Sequence, residues 1–313
     1  MKKIVIISVY FGEFPRHFDL LLKSIEKNPT IDFLIFTDQK TSSNMKNLKY
    51  VNISLKDLDK RIKKKLGHEF GIKRPYKCCD FKPAYGVLFG DYIRKYDFWG
   101  HSDLDLIFGD IRKFITEEIL DNYDKILPLG HLSLYRNTTE INSRYMGDGA
   151  SCGSYDEVFS NEKSYAFDEW NGIMGIYYKN GFSFYDKRLF ADISILRKRF
   201  TLALDDKDYN QQVFYWEDGH VYRAFMEGGT VKKDEFVYIH FKQRKYLDNK
   251  DVKDDSNGFY ICDKGFIFKE KGLPKKTDIK KYNRFRGIFY EFIETRFSLL
   301  KIKVENVRKR VIG

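Results

Sequence analysis

The sequence predicts an α/β protein built around a sheet with parallel strands, and three observations lead there. Residues Ile4 to Val9 form a β-branched run of the kind that is covered on both faces. Phe18, Leu21, Leu22 and Ile25 follow at helical spacing and stop near Asn28-Pro29. Ile31 to Thr37 is a second apolar run, closed by Asp38. Strand, helix and strand within about forty residues make a βαβ unit, whose strands lie parallel with a right-handed crossover. Ligands of such sheets gather at the carboxyl ends of the strands. Tyr10-Phe11-Gly12, Thr37-Asp38 and Asp103-Leu104-Asp105 all fall at such ends.

Further elements follow in order. A strand is expected at Tyr50 to Ile53 and a helix at Leu55 to Leu66. Tyr85, Leu88, Phe89, Tyr92 and Ile93 share one face of a helix predicted over Lys82 to Tyr96, which leads into a strand at Asp97 to Trp99. Ile126 to Leu134, Ile173 to Tyr178 and Phe236 to Phe241 read as strands. Asn137 to Asp168 is rich in Gly, Ser and Asn and too long for a simple connection, which points to a functional lid or a disordered loop. No internal repeat is visible.

With 313 residues, the chain can bury a full core plus an appendage. Its net charge of +11 is unevenly spread. From Lys271 onward thirteen Lys/Arg face four Asp/Glu, a local +9, so the other 270 residues carry only +2. A nucleic-acid-binding module needs cations interleaved with aromatics over its body, so nucleic acid is not expected as a partner. After Gly272-Leu273-Pro274, Ile293, Phe297, Leu300, Val304, Val307 and Val311 recur at steps of four and three. Phe285, Ile288, Phe289 and Phe292 extend that apolar side, which makes a basic amphipathic helix or helix pair. Such a helix suits an anionic membrane surface, and docking on the body or in a dimer is the plainer alternative.

Four cysteines, two of them the adjacent Cys78-Cys79, make a poor disulfide framework and suggest a reducing compartment. No run approaches the roughly 18–20 apolar residues that cross a bilayer. The opening Met1-Lys2-Lys3 and its apolar run resemble a signal sequence, but Gly12, Glu13 and Pro15 arrive without a small-residue cleavage site. A buried first strand is expected instead.

The chemistry concentrates in Phe98-Trp99-Gly100-His101-Ser102-Asp103-Leu104-Asp105. In an extended segment, aspartates at i and i+2 point to one side. Two such carboxylates repel unless a cation lies between them, and a divalent ion is the economical choice. An ion at a strand end can in turn hold a diphosphate.

These residues, with Asp80-Phe81-Lys82-Pro83-Ala84-Tyr85-Gly86 and His240-Phe241-Lys242-Gln243-Arg244-Lys245, resemble a family of bacterial GT-A-fold glycosyltransferases of capsule and lipopolysaccharide synthesis. The resemblance spans about residues 1–245, which it implies to be a catalytic domain with a Rossmann-like mixed sheet flanked by helices. Residues 246–313 are then a C-terminal extension carrying the basic helix. It implies a nucleotide-diphosphate sugar donor, most often UDP-linked, with Mn²⁺ or Mg²⁺, and a saccharide or lipid-linked acceptor. A cytoplasmic enzyme, peripheral on the inner face of the cell membrane, is the matching location.

The implied roles follow residue by residue. Asp105 is the direct metal ligand, Asp103 is shared between metal and ribose, and His240 is a further ligand. Lys242, Arg244 and Lys245 can meet diphosphate oxygens, though strand alternation cannot turn all three inward. Lys82 can contact phosphate or sugar, and Asp80 is a helix cap or an acceptor for a sugar hydroxyl. Tyr10 and Phe11 can stack on the base or belong to the core, and Asp38 can accept from a uracil N–H. An inverting transfer needs a general base, for which Asp168 and Glu169 are the candidates and Asp205-Asp206 and Asp208 the rivals. His131 and Arg136 flank a strand near this pocket in either contacting or structural roles. Two other readings stay open: an Asp-x-Asp phosphohydrolase and a catalytically inactive scaffold. The first wants Thr or Val two residues after the second aspartate, where Ile107 stands, and wants the motif on its first strand.

Overall fold

The computed structural model describes residues 1–203, 207–242, 247–249, 252–253 and 256–311, with side chains described as far as residue 304. The chain packs as two compact units. The first comprises Met1–Phe14, Asn28–Leu104 and Arg112–Arg188, and the second Pro15–Lys27, Asp105–Ile111 and Leu189–Gly313. These are units of packing.

The first unit is α/β, as expected. Its seven-stranded sheet runs β3 (Leu48–Asn52), β2 (Ile31–Thr37), β1 (Ile4–Tyr10), β4 (Phe98–Ser102), β7 (Leu132–Arg136), β6 (Lys125–Ile126), β8 (Phe184–Tyr185). The strands from β3 to β4 pair parallel, whereas β7 joins β4 and β6 antiparallel, so the sheet is mixed. Ile4 to Ile7 are fully buried, which explains the unbroken apolar run of β1. Burial of each such side chain contributes about 1.5–3 kcal/mol. Ser8 and Ser102 hydroxyls meet at 2.9 Å near the carboxyl ends of β1 and β4, satisfying each other in the core. The Leu55–Lys65 helix begins at Ser54, whose hydroxyl accepts from the Asp57 N–H at 3.1 Å.

Four expectations are corrected within this unit. The helix expected over Lys82 to Tyr96 is a chain of single turns, among them Lys82–Ala84, Tyr85–Leu88 and Gly90–Ile93. Pro83 lacks an N–H, and glycines punctuate the rest. Gly86 has a further reason to lack a side chain, since a Cβ there would lie 2.7 Å from Trp99 Nε1. Ile126 to Leu134 is not one strand but the antiparallel pair β6 and β7, turned through Leu127 at φ 67°. Ile173 to Tyr178 is helical, a wide turn at Trp170–Met174 running into Gly175–Asn180, stopped by Gly181 in the left-handed region. Between Asn137 and Asp168 the chain forms helices Thr139–Ser143 and Tyr155–Ser160, capped by Thr138 and Ser154.

The second unit carries two sheets. One is antiparallel, in the order β12 (Thr230–Phe236), β11 (His220–Glu227), β10 (Gln212–Glu217), β14 (Gly258–Cys262), β15 (Gly265–Phe268). The other has three short strands, β5 (Leu106–Phe108), β13 (Tyr238–His240) and β9 (Ala191–Asp192). The strand expected over Phe236 to Phe241 is thus divided at Val237 between the two sheets. The Phe18–Glu26 helix belongs to this unit, and its Ser24 hydroxyl accepts from the Phe108 N–H at 3.1 Å. At the C-terminal side, helix Lys276–Tyr282 precedes a long helix, Ile288–Val311. Glu291 on that helix is buried and is gripped by Arg199 at 2.6 Å and Arg197 at 3.2 Å. No described helix is long and apolar enough to cross a membrane, and the four cysteines are free thiols.

Candidate active site

In the first unit, three neighbouring strands deliver their carboxyl ends to one edge of the sheet, in the order β2, β1, β4. Tyr10 ends β1 half-buried and stacks on Phe14 with ring centroids 5.8 Å apart. Phe11 packs against the core below it. Gly12 takes φ +87°, and its N–H donates to Asp38 Oδ1 at 3.0 Å, tying the ends of β1 and β2.

Asp103 follows β4, and its N–H donates to the His131 carbonyl at 3.1 Å. Its carboxylate accepts from Lys82 Nζ at 2.7 Å. The same ammonium donates to Asp168 Oδ2 at 2.8 Å and to the Gly130 carbonyl at 2.9 Å, so all three of its protons are used. Burial works against the charge of Lys82, but Asp103 and Asp168 more than reverse this and hold the ammonium well above its ordinary value. A Cβ on Gly130 would collide with the Asp168 carboxylate and stand 3.1 Å from Glu169 Oε1, so glycine gives both carboxyl groups their room.

Asp168 is buried, and burial raises its carboxyl against the pull of Lys82. Glu169 beside it is half-buried and is pushed up to about 7, first by burial and then by the Asp168 charge. Two more buried bases line this unit. Lys125 is drawn down to about 7 by burial, with its Nζ donating to Ser133 Oγ at 2.9 Å. His101 is held well below its ordinary value by burial and by the charges of Lys82 and Lys125.

Asp80 is fully buried, and its oxygens accept from Lys77 Nζ at 2.8 Å, from the Tyr165 N–H at 3.1 Å and from the Phe167 N–H at 3.0 Å. It therefore anchors the segment that ends in Asp168. Arg136 is likewise occupied, donating to the carbonyls of Leu120, Asp121 and Tyr123 and to Asp124.

In the second unit, β13 lies between β5 and β9, and this register sets Leu106, His240 and Asp192 side by side. The Phe241 N–H donates to the Asp105 carbonyl at 2.9 Å, which fixes Asp105 at the start of β5. His240 Nε2 faces Asp105 Oδ1 at 3.4 Å, and its Nδ1 meets Asp192 Oδ1 at 2.9 Å. Burial lowers the imidazole, hydrogen bonds to Asp105 and Asp192 outweigh that, and it stands raised to about 9. Lys242, at φ 47°, pairs with the other Asp192 oxygen at 2.7 Å.

Lys82, Asp103 and Asp168 thus meet in the first unit, and Asp105 and His240 in the second. Asp208 accepts from the Leu202 N–H and from Gln212, a turn-holding role. Arg244, Lys245, Asp205 and Asp206 lie outside the described residues. Two residues that sequence reading missed are Gly130 and Asp192. Neither has a local signature: Asp192 sits in a two-residue strand, and only pairing with β13 brings it to His240.

No curated protein matches the chain. Among solved structures, the galactosyltransferase LgtC bound to donor and acceptor sugar analogues aligns at TM-score 0.36 and 10% identity, over 60% of this chain and 75% of its own. Mouse xyloside xylosyltransferase 1 aligns at TM-score 0.39 and 7% identity, over 62% and 88%. The bifunctional glycosyltransferase WbbM aligns at 0.36 and 11% identity, over 61% and 40%. All three are distant likenesses. Residues 6–270 match the model of a family of unknown function, DUF6625, and the chain belongs to that family.

Proposed function

We propose that this chain is a metal-dependent glycosyltransferase of GT-A type that moves a hexose from a UDP-linked donor to a cell-surface polysaccharide or lipid-linked saccharide. The observation that carries the reading is the aimed imidazole: His240 Nε2 faces Asp105 at 3.4 Å while buried Asp192 holds its other nitrogen at 2.9 Å. A carboxylate bound to one nitrogen of a ligating histidine fixes the ring and raises its donor strength. Carboxylate oxygens with one imidazole nitrogen suit Mn²⁺ better than Mg²⁺, which prefers oxygen throughout. Asp105 and His240 would hold the ion. When bound, such an ion neutralises charge developing on the departing diphosphate.

The remaining residues take roles that their chemistry allows. Tyr10 and Phe11 flank the base and Asp38 accepts from it, at the ends of β1 and β2. Lys242 and Lys245 meet the diphosphate. Glu169, with its carboxyl near 7, takes the proton of the acceptor hydroxyl. Asp168 and Lys82 keep that carboxyl and Asp103 in place, and Asp80 positions the segment before them. Residues 1–245 form the catalytic part, and 246–313 turn its basic helix to the anionic inner face of the cell membrane.

The test is a panel of nucleotide sugars with and without Mn²⁺, read by nucleotide release. Asp105→Ala and His240→Ala are each expected to lower metal-dependent release at least about 100-fold. Unchanged turnover in Asp105→Ala overturns the metal assignment. Release from no nucleotide sugar overturns the transferase reading.

A further inference from the structure

Beside the terminal helix lies a cavity of about 290 Å³ whose walls come from helix Lys276–Tyr282, the residues around Arg199, and Asp263-Lys264. Its rim carries Lys264, Lys280, Lys281, Arg284 and Arg286, all exposed. Three acids also line the wall: Asp263, which is exposed, and Glu291 and Glu294, which have partners. Glu291 is gripped by Arg197 and Arg199, and Glu294 accepts from the Lys198 N–H at 3.3 Å. Among the described residues, Lys264, Lys280 and Arg284 make no ion pair. The five rim cations outnumber Asp263 and Glu294, the two wall acids not paired with a guanidinium, so the bowl keeps a net positive charge.

Tyr290, Glu291 and Glu294 face this bowl from the Ile288–Val311 helix. One residue back, about 100° around the same helix, runs a stripe of Phe289, Ile293, Phe297, Leu300 and Val304. Phe289 is 77% exposed and Phe297 69%. A soluble anion would explain the bowl but not the aromatic stripe. An apolar protein groove would explain the stripe but not the cations. The boundary between headgroups and acyl chains of an anionic bilayer is charged and apolar within a few ångströms, and it accounts for both.

We propose that the bowl is a binding site for the phosphate-bearing headgroup of an anionic lipid, seated while the neighbouring stripe enters the acyl boundary. The site rests on the reading above that the extension meets the membrane, and gives that contact a specific ligand chemistry. Lys280 and Arg284 donate charge-assisted hydrogen bonds to the phosphate oxygens.

The experiment sediments the full chain with vesicles of phosphatidylglycerol and phosphatidylcholine, or of phosphatidylcholine alone. The variants are Lys280→Gln/Arg284→Gln in the bowl and Lys301→Gln/Lys303→Gln farther along the helix. Both pairs remove the same charge, so diffuse attraction predicts equal losses of roughly fivefold per cation. The headgroup site predicts that the bowl pair loses at least about threefold more than the control pair, with circular dichroism unchanged. Equal losses overturn the site and leave the membrane reading standing. A wild type that fails to sediment with the anionic vesicles overturns both. If the bowl binds inorganic diphosphate in solution while the bowl variant still sediments as wild type, the ligand is a soluble anion and the lipid assignment falls. Nucleotide release without vesicles, expected to be equal in all variants, keeps these outcomes apart from the transferase reading.

Discussion

Asp103 and Asp105 stand two residues apart and are held by different kinds of cation. Asp103 meets Lys82 Nζ at 2.7 Å, an ammonium whose three protons all go to protein oxygens. Asp105 faces His240 Nε2 at 3.4 Å. An ammonium that deep among carboxylates is a fixed charge with no lone pair to offer. An imidazole can release its proton and present a lone pair to an ion. Each arrangement gathers acids around a buried base, yet one is a structural clamp and the other a potential ligand set. A motif of two aspartates therefore need not mean two equivalent ligands.

Three measurements sharpen or break this contrast, beginning with the largest effect. Glu169→Gln is expected to lower turnover by about 10²–10⁴-fold, the usual contribution of a general base. In the wild type the rate should rise with pH through about 7, where the Glu169 carboxyl loses its proton, and the variant should lose that limb. Stability moves the other way. A carboxyl raised from 4.5 to about 7 holds a proton in the folded state that the unfolded chain has lost. Its contribution is present below about 4.5 and fades as pH rises through 7. Denaturant titrations of Glu169→Gln should show a flatter profile over that window, and an unaltered one would remove the assignment.

Lys82→Met comes next. It strips the clamp of its cation and leaves Asp168 buried without a partner, which should cost about 3–5 kcal/mol of unfolding free energy. Chemical denaturation reads this directly, and a loss below about 1 kcal/mol would show that the clamp is not structural. The smallest effect belongs to Asp192→Asn, which keeps the shape beside His240 but weakens its hold on the ring. Mn²⁺ affinity, measured by paramagnetic resonance without donor, is expected to fall about 10–100-fold. Wild-type affinity in that variant would mean that Asp192 serves Lys242 alone.

How much of this could be read from the chain depends on the residue. β1 and β2 were legible because strands buried on both faces leave unbroken apolar runs, and Asp38 marked where the second one stops. The Ile173 to Tyr178 segment was not, since Ile173, Ile176 and Tyr177 fit a helical face as well as a strand, and burial on several sides erases the distinction. Tyr85 to Ile93 had helical periodicity, but close packing at Gly86 and the proline at 83 divide it into turns. At the site, Asp103, Asp105, Lys82 and His240 stood in recognisable strings. Their partners did not: Lys82 reaches Asp168 across 86 positions and His240 reaches Asp192 across 48. The second pairing is a property of strand register and the first of how the Lys82 turn packs against the Asp168 segment, and no local string records either.

Glu291 carries one further consequence. Held by two guanidinium groups from the Arg197–Arg199 turn, it staples the terminal helix to its own unit. Peeling that helix away would strand an anion and two cations that now satisfy one another. The first turns of the apolar stripe are thus displayed by a braced strut, not by a tether searching for a place to fold. Landing on a surface would then require no ordering transition, and capture should be limited by encounter alone.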